Sequence, residues 1–300
     1  MLATAFYTGL RTAGITAIAR LARQGGAILC YHNIVVSRGR AQSGEPGLHL
    51  DVDQFRLQVS WLVAHYTVIP LVDFARRVRT GRPMRGVAAI TFDDGYLGVF
   101  DIAWPILRDM GVPATVFVPT GVPAATGFWW DDPTVVGLTT PEQRMRWLTD
   151  LGGDATAISR AVTTRRDHLP RTHRQASWAR IARAAREGCE IGVHSTTHRN
   201  LTLLADAELR RETEGSRLEL FSRTGVHARC FSYPYGLFDS RVRDAVRRAG
   251  FETAVTLDFG LNSGLCDPLA LRRMNVPASI SAVAFEAWVA GLRPRVGETT

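Results

Sequence analysis

The 300-residue chain contains no lysine. Its 36 basic side chains are all arginine and stand against 28 acidic ones, for a net charge of +8. A nucleic-acid surface needs basic residues clustered with aromatics on one face. These arginines are instead scattered through amphipathic segments such as Arg76-Arg77-Val78-Arg79 and Arg241-Val242-Arg243. A uniform absence of lysine reads as genome-wide composition, so no nucleic-acid partner is expected. Cysteine is also scarce. Cys30, Cys189, Cys230 and Cys266 lie far apart with no C-x-x-C pair, and three sit in or beside apolar runs where a thiol behaves as a small hydrophobe.

No apolar run is long enough to span a bilayer. Acidic residues are missing before Glu45, where Arg11, Arg20, Arg23, Arg38 and Arg40 occur. Arg11 interrupts the opening apolar segment and no basic residue precedes it, which is not the order of a secretory signal. A cytoplasmic location, with peripheral membrane association as an option, is the expectation. Within an N-terminal segment of residues 1–26, Leu2, Phe6, Leu10, Ile18 and Leu21 lie near helical spacing. They predict an amphipathic helix over 3–23 that packs on the domain or lies on a membrane surface, packing being preferred.

The hydrophobic fraction of 46% is enough to bury the core of one barrel-sized domain. Short apolar strands are predicted at Ala27 to Tyr31, Val87 to Phe92, Ala114 to Val118, Glu190 to Val193, Cys230 to Tyr233, Thr253 to Thr256 and Leu271 to Val276. Amphipathic helices fall between them at 51–65, 71–79, 97–110, 205–223, 238–249 and 281–291. Asp206 and Asp239 are candidate N-caps, and Gly250 a candidate C-cap. Alternating strand and helix implies parallel strands with right-handed crossovers. Seven such units point to an α/β barrel over 27–292, with a polar, arginine-rich helical insertion near 131–178. Residues 293–300 read as a disordered tail.

Two strand ends carry the chemistry. Val87-Ala88-Ala89-Ile90 runs into Thr91-Phe92-Asp93-Asp94-Gly95, and adjacent carboxylates at a buried strand end persist where a cation neutralises one or where chemistry uses both. Cys189-Glu190-Ile191-Gly192-Val193 runs into His194-Ser195-Thr196-Thr197-His198. The i, i+4 spacing predicts both imidazoles on one face of a helical turn. Two imidazoles and a carboxylate suit zinc or a similar divalent metal, with the other carboxylate left as a base. In a parallel barrel the strands' C-terminal ends share one face. His32, after the first strand, and Tyr233-Pro234-Tyr235-Gly236, after another, therefore converge on the same place.

Thr91-Phe92-Asp93-Asp94-Gly95, His194-Ser195-Thr196-Thr197-His198 and Phe231-Ser232-Tyr233-Pro234-Tyr235-Gly236, in this order, resemble the first three motifs of the polysaccharide deacetylases. That family is carbohydrate esterase family four, the nodulation-type chitooligosaccharide deacetylase domain. The resemblance covers roughly residues 27–280, and Tyr31-His32-Asn33-Ile34 with Trp129-Trp130-Asp131 resembles a branch acting on exported or lipid-linked glycans. It implies a distorted (β/α)7 barrel and a divalent metal, Zn2+ with Co2+ or Ni2+ as options, on Asp94, His194 and His198. It also implies Asp93 as general base and the Tyr235 backbone N–H as oxyanion donor.

The match has two departures. Ser232 stands where many members carry an arginine that orients the base, with Arg272 or Arg273 as the available substitute. Leu271-Arg272-Arg273-Met274-Asn275-Val276 lacks the histidine many members use as general acid, leaving His32 as the candidate acid or substrate contact. The implied activity is removal of N-acetyl groups from amino sugars of a polysaccharide, oligosaccharide or lipid-linked glycan. The alternatives are a non-catalytic glycan-binding relative and the same chemistry on another amide, such as an N-formyl sugar lipid or a cyclic imide. Trp129-Trp130 reads equally as core or as a sugar platform. No role is assigned to His49, His65, His168, His173 or His227.

Overall fold

The computed structural model describes residues 2–36, 44–45, 47–121, 127–162, 169–264 and 266–293. The tail after Pro294 and His168 lie outside the described residues. In chain order the first elements are α1 (Leu2–Thr12), α2 (Ile15–Ala22), β1 (Ala27–Tyr31), β2 (Asn33–Val35), β3 (His49–Asp51), α3 (Val52–His65), β4 (Thr67–Val68), α4 (Leu71–Arg79) and β5 (Val87–Phe92). There follow a π-helical turn (Val99–Ala103), α5 (Trp104–Asp109), β6 (Thr115–Val118), α6 (Pro133–Leu138), α7 (Pro141–Asp150), α8 (Ala155–Ala161), α9 (Trp178–Arg186) and β7 (Glu190–Val193). The last are α10 (Asp206–Arg210), a second π turn (Arg211–Gly215), α11 (Ser216–Thr224), β8 (Cys230–Ser232), α12 (Ser240–Arg248), β9 (Thr253–Val255), β10 (Met274–Asn275) and α13 (Ala282–Val289).

The main sheet is parallel and runs β10-β1-β5-β6-β7-β8-β9, with β4 beside β5. Its two ends meet through residues 268–276. Ala254 donates to Pro268, Thr256 donates to the Leu271 carbonyl and Leu271 donates to Ala254, while Val276 donates to Cys30 on β1. This closes a distorted (β/α)7 barrel. Strand alternation then divides the side chains. Leu29, Tyr31, Ile90, Phe92, Val116, Val118, Ile191, Val193 and Phe231 join the core shared with the surrounding helices, while Ile28, Ala89, Phe117, Cys230, Val255 and Leu271 form a separate interior core. Helix α4 plugs that interior with Leu71, Phe74, Ala75 and Val78, all buried.

Several boundaries differ from the sequence reading. The segment read as one N-terminal helix is two helices, because Gly14 takes a left-handed conformation (φ 72°) between them. Helix α10 starts one residue early. Ala205 is its N-cap, the carboxylate of Glu208 accepts from the Ala205 N–H, and Asp206 pairs with Arg241 instead. Asp239 does cap α12 by accepting from Val242, and Gly250 ends it in the left-handed region. The insertion is helical where described, and all four cysteines are free thiols.

Candidate active site

Asp93, Asp94, His32, His194, His198 and Tyr235 all meet at the C-terminal ends of the strands. The first reason is backbone geometry. Among the described residues, the non-glycine positions with positive φ are Asp94 (69°), Ser195 (61°), His198 (58°) and Tyr235 (58°). Such conformations cost on the order of 1 kcal/mol or more each and persist only where the surroundings enforce them. Gln175 donates to the Asp94 carbonyl at 2.9 Å. Glu212 accepts from the N–H groups of Thr196 and Thr197 at 2.8 and 2.9 Å and from the Thr197 hydroxyl at 2.5 Å. His194–His198 is thus a pinned loop, not the helical turn expected from its spacing. The left-handed turns at Ser195 and His198 bring the rings together where a helix would have, with His198 N–H donating to Ser195 Oγ at 3.0 Å.

The adjacent carboxylates have separate surroundings. Both oxygens of Asp93 accept from Arg273, Oδ1 from Nη1 and Oδ2 from Nη2, each at 2.7 Å. Arg273 Nη2 also donates to Ser232 Oγ at 2.9 Å, Nη1 donates to Thr91 Oγ1 at 3.2 Å, and Nε donates to the Thr256 carbonyl at 2.8 Å. Ser232 Oγ donates to Asp93 Oδ2 at 3.2 Å. Of the two arginines the sequence offered, Arg273 points inward and is fully buried, whereas Arg272 is exposed, as alternation along an extended segment requires. The small Ser232 leaves the space through which the guanidinium reaches. Burial alone would raise the Asp93 carboxyl, but the Arg273 charge and its hydrogen bonds, helped by His194, hold it well below the usual carboxylate range.

Asp94 faces the histidines. Its Oδ1 is 3.2 Å from His198 Nε2 and 3.5 Å from His194 Nε2, and the two Nε2 atoms are 3.0 Å apart. His194 Nδ1 donates to the Ser232 carbonyl at 2.8 Å, so its neutral ring presents a bare lone pair at Nε2. Burial pushes the His194 pKa down to about 4, which keeps that ring neutral near pH 7. Asp94 Oδ1 is buried and accepts no hydrogen bond. Two imidazole nitrogens and a carboxylate oxygen converging at these distances fit a divalent cation, since tetrahedral ligands at about 2.0–2.1 Å lie roughly 3.3 Å from one another. His198 lacks a partner at Nδ1 and is held by rings instead: Tyr235 at 4.6 Å, Trp130 at 4.9 Å and Phe128 at 5.8 Å between centroids.

His32 lies on the Asp93 side, its ring nitrogen, Cys30 Sγ and an Asp93 oxygen lying within 4.8 Å of one another. Its Nδ1 is buried and unpartnered, and burial lowers its pKa against the opposing pull of both aspartates. Sequence reasoning missed the support beneath the ring cage. Trp130 Nε1 donates to Tyr96 Oη at 2.9 Å, Tyr96 donates to Asp131 Oδ2 at 2.6 Å, Asp131 Oδ1 is 2.8 Å from His49 Nε2, and His49 Nδ1 is 3.0 Å from Asn33 Nδ2. The available signal was a histidine inside the apolar His49-Leu50 strand, which must find a polar partner when buried.

Residues 80–254 match the family model for polysaccharide deacetylase, and the chain belongs to that family. Its members are hydrolases of the carbohydrate esterase four type. YxkH of Bacillus subtilis (strain 168), assigned to the polysaccharide deacetylases, is 22% identical over 268 residues, which is 89% of this chain and 76% of that protein. IcaB from Ammonifex degensii superposes with a TM-score of 0.63 at 20% identity, over 90% of this chain and 98% of that one. The Streptococcus pyogenes deacetylase PplD gives 0.62 at 19%, over 90% and 99% respectively. At these identities the structural likeness concerns the fold.

Proposed function

We propose that the chain removes N-acetyl groups from the amino sugars of a polysaccharide, oligosaccharide or lipid-linked glycan in a reaction that needs a divalent cation. The observation that carries this reading is the division of labour between the adjacent carboxylates. Asp93 is neutralised by Arg273, while Asp94 faces two imidazoles and no arginine. A cation on Asp94, His194 and His198 would polarise the amide carbonyl and lower the pKa of the attacking water. Asp93 is placed to take that water's proton. Its depressed pKa keeps it ionised throughout the working range but makes it a weak base, so it suits only a water that is already acidified. The Tyr235 N–H is the candidate donor to the developing oxyanion. His32, whose ring nitrogen lies within 4.8 Å of an Asp93 oxygen, is the candidate acid for the departing amine.

The arginine missing from the third motif was one reason to consider a binding-only relative. With Arg273 on Asp93 that reason falls away. Acetate release from N-acetylglucosamine oligomers is the direct assay, run with zinc, with chelator and with Asp93→Asn. The chelated enzyme should be inactive, and Asp93→Asn should lose about 10²–10⁴-fold in kcat. Release that survives the chelator, or an absence of release from every N-acetylated glycan, would sink the reading.

A further inference from the structure

Helix α2 is mounted with its apolar side outward. Thr16 is buried, whereas Ile15, Ile18 and Leu21, spaced by three along the same helix, are 43%, 64% and 61% exposed. Phe6 on α1 adds a fourth large apolar side chain at 49%. Helix α1 itself is well anchored. Tyr7 is buried and accepts a hydrogen bond from Trp288 Nε1 on α13 at 2.6 Å, and Leu10 packs on the main core. The exposed stripe is therefore presented by a fixed element and is not a frayed end. Scattered exposed apolar residues need no explanation, but a concentrated patch does.

The charged residues of the two helices themselves are all arginine. Arg11 stands at the junction of the two helices, and Arg20 and Arg23 on and after α2. Arg85, at the entry to β5, donates to the Leu21 carbonyl. No Asp or Glu precedes Glu45, and among the described residues the acidic partner of these arginines is Glu286, 3.7 Å from Arg11. A second copy of this chain would set the same arginines against one another and add its own +8. An exposed apolar stripe on a pair of helices whose only charged residues are arginines matches a surface that is apolar inside and anionic outside. We infer that the α1–α2 face, through Phe6, Ile15, Ile18 and Leu21, docks on anionic lipid headgroups with these side chains in the interfacial layer. No described helix is long and apolar enough to cross a membrane.

Helix α2 ends just before β1 begins, at the end of the barrel opposite the metal-ligand cluster. Docking through this face leaves the mouth of the site clear. This inference is independent of the reaction proposed above.

Co-sedimentation of the full chain with vesicles tests it. The wild-type chain should pellet with phosphatidylglycerol–phosphatidylcholine vesicles far more than with phosphatidylcholine alone, and salt should weaken the binding. Ile18→Asp/Leu21→Asp should stay in the supernatant with an unchanged circular-dichroism spectrum and unchanged acetate release from soluble oligomers. Arg20→Gln/Arg23→Gln should bind about 25-fold more weakly, from about fivefold per arginine. A wild-type chain that ignores anionic vesicles, or an Ile18→Asp/Leu21→Asp variant that pellets like wild type, overturns the inference. So does a lipid-free dimer, seen in sedimentation velocity, that the same variant converts to monomer, since the face would then belong to a second copy.

Discussion

The Asp93–Arg273 pair has more riding on it than any other contact in the site, because both groups are fully buried and each compensates the other. Removing one partner of a buried ion pair costs about 3–5 kcal/mol, since the other charge is left without compensation. Arg273→Ala should therefore lower unfolding stability by that amount and kcat/KM by about 10²-fold through misplacement of the base. Arg273→Lys should fall between, as an ammonium cannot repeat the two-point contact. The pH dependence has a definite sign. The folded-state pKa of Asp93 lies below its unfolded value near 3.9, so its stabilisation is fully present above about pH 4 and fades as pH falls towards the folded pKa. The stability gap between wild type and Arg273→Ala should be widest above pH 4 and narrow in acid, measured by urea unfolding. In the variant the acid limb of the rate profile should move to higher pH. Unchanged kcat/KM in Arg273→Ala would remove the arginine from the mechanism.

At the scale of elements, α4 plugs the interior of the barrel. Phe74 fills the barrel interior beneath Ile28, Ala89 and Phe117. Phe74→Ala should cost about 3–5 kcal/mol, because the strands around it cannot collapse into the space. Thermal or urea unfolding reads this directly, and a loss below about 1 kcal/mol would mean the plug is not packed as described. The seven predicted strands and the α4 helix were legible because each is a continuous apolar run or a clean 3.6-residue pattern, whereas the short β2, β3 and β4 were not foreseen. Asp93, Asp94 and His194 were placed by the ends of those runs. What stayed hidden was long-range. The choice of Arg273 over Arg272 depends on which side of the extended segment leading into β10 faces inward, and the Trp130–Tyr96–Asp131–His49 chain joins residues up to 82 positions apart. The loop at His194–His198 kept the spacing of a helix without being one, because Glu212 supplies the caps from another element. Helix α2 misled the sequence reading in the opposite sense. Its amphipathic pattern was real, but the apolar side faces away from the domain.

For the whole molecule, the question is what holds two imidazoles and a carboxylate within 3.0–3.5 Å, with the backbone left-handed at Asp94 and His198. The barrel does part of this, by closing residues 268–276 between β9 and β1 and so fixing the strand ends. A bound cation would do the rest, and its effect must then register on global stability, since the ligands come from β5 and β7 and unfold with the barrel. Ligand present at about 100 times its Kd stabilises by about 2.7 kcal/mol. At about 2–4 °C per kcal/mol for a chain of this size, zinc should raise Tm by roughly 5–10 °C and a chelator should reverse the shift. His194→Ala and His198→Ala should each abolish both the shift and stoichiometric zinc binding. The control matters because Cys30, His32 and Asp93 also bring three ligand-type atoms within 4.8 Å. Asp93 is already engaged by Arg273 there, and burial raises the Cys30 thiol well above its usual range, so this cluster should not respond. A Tm shift that survives in both histidine variants would move the cation to that second cluster, and would take Asp93 out of its role as a free base.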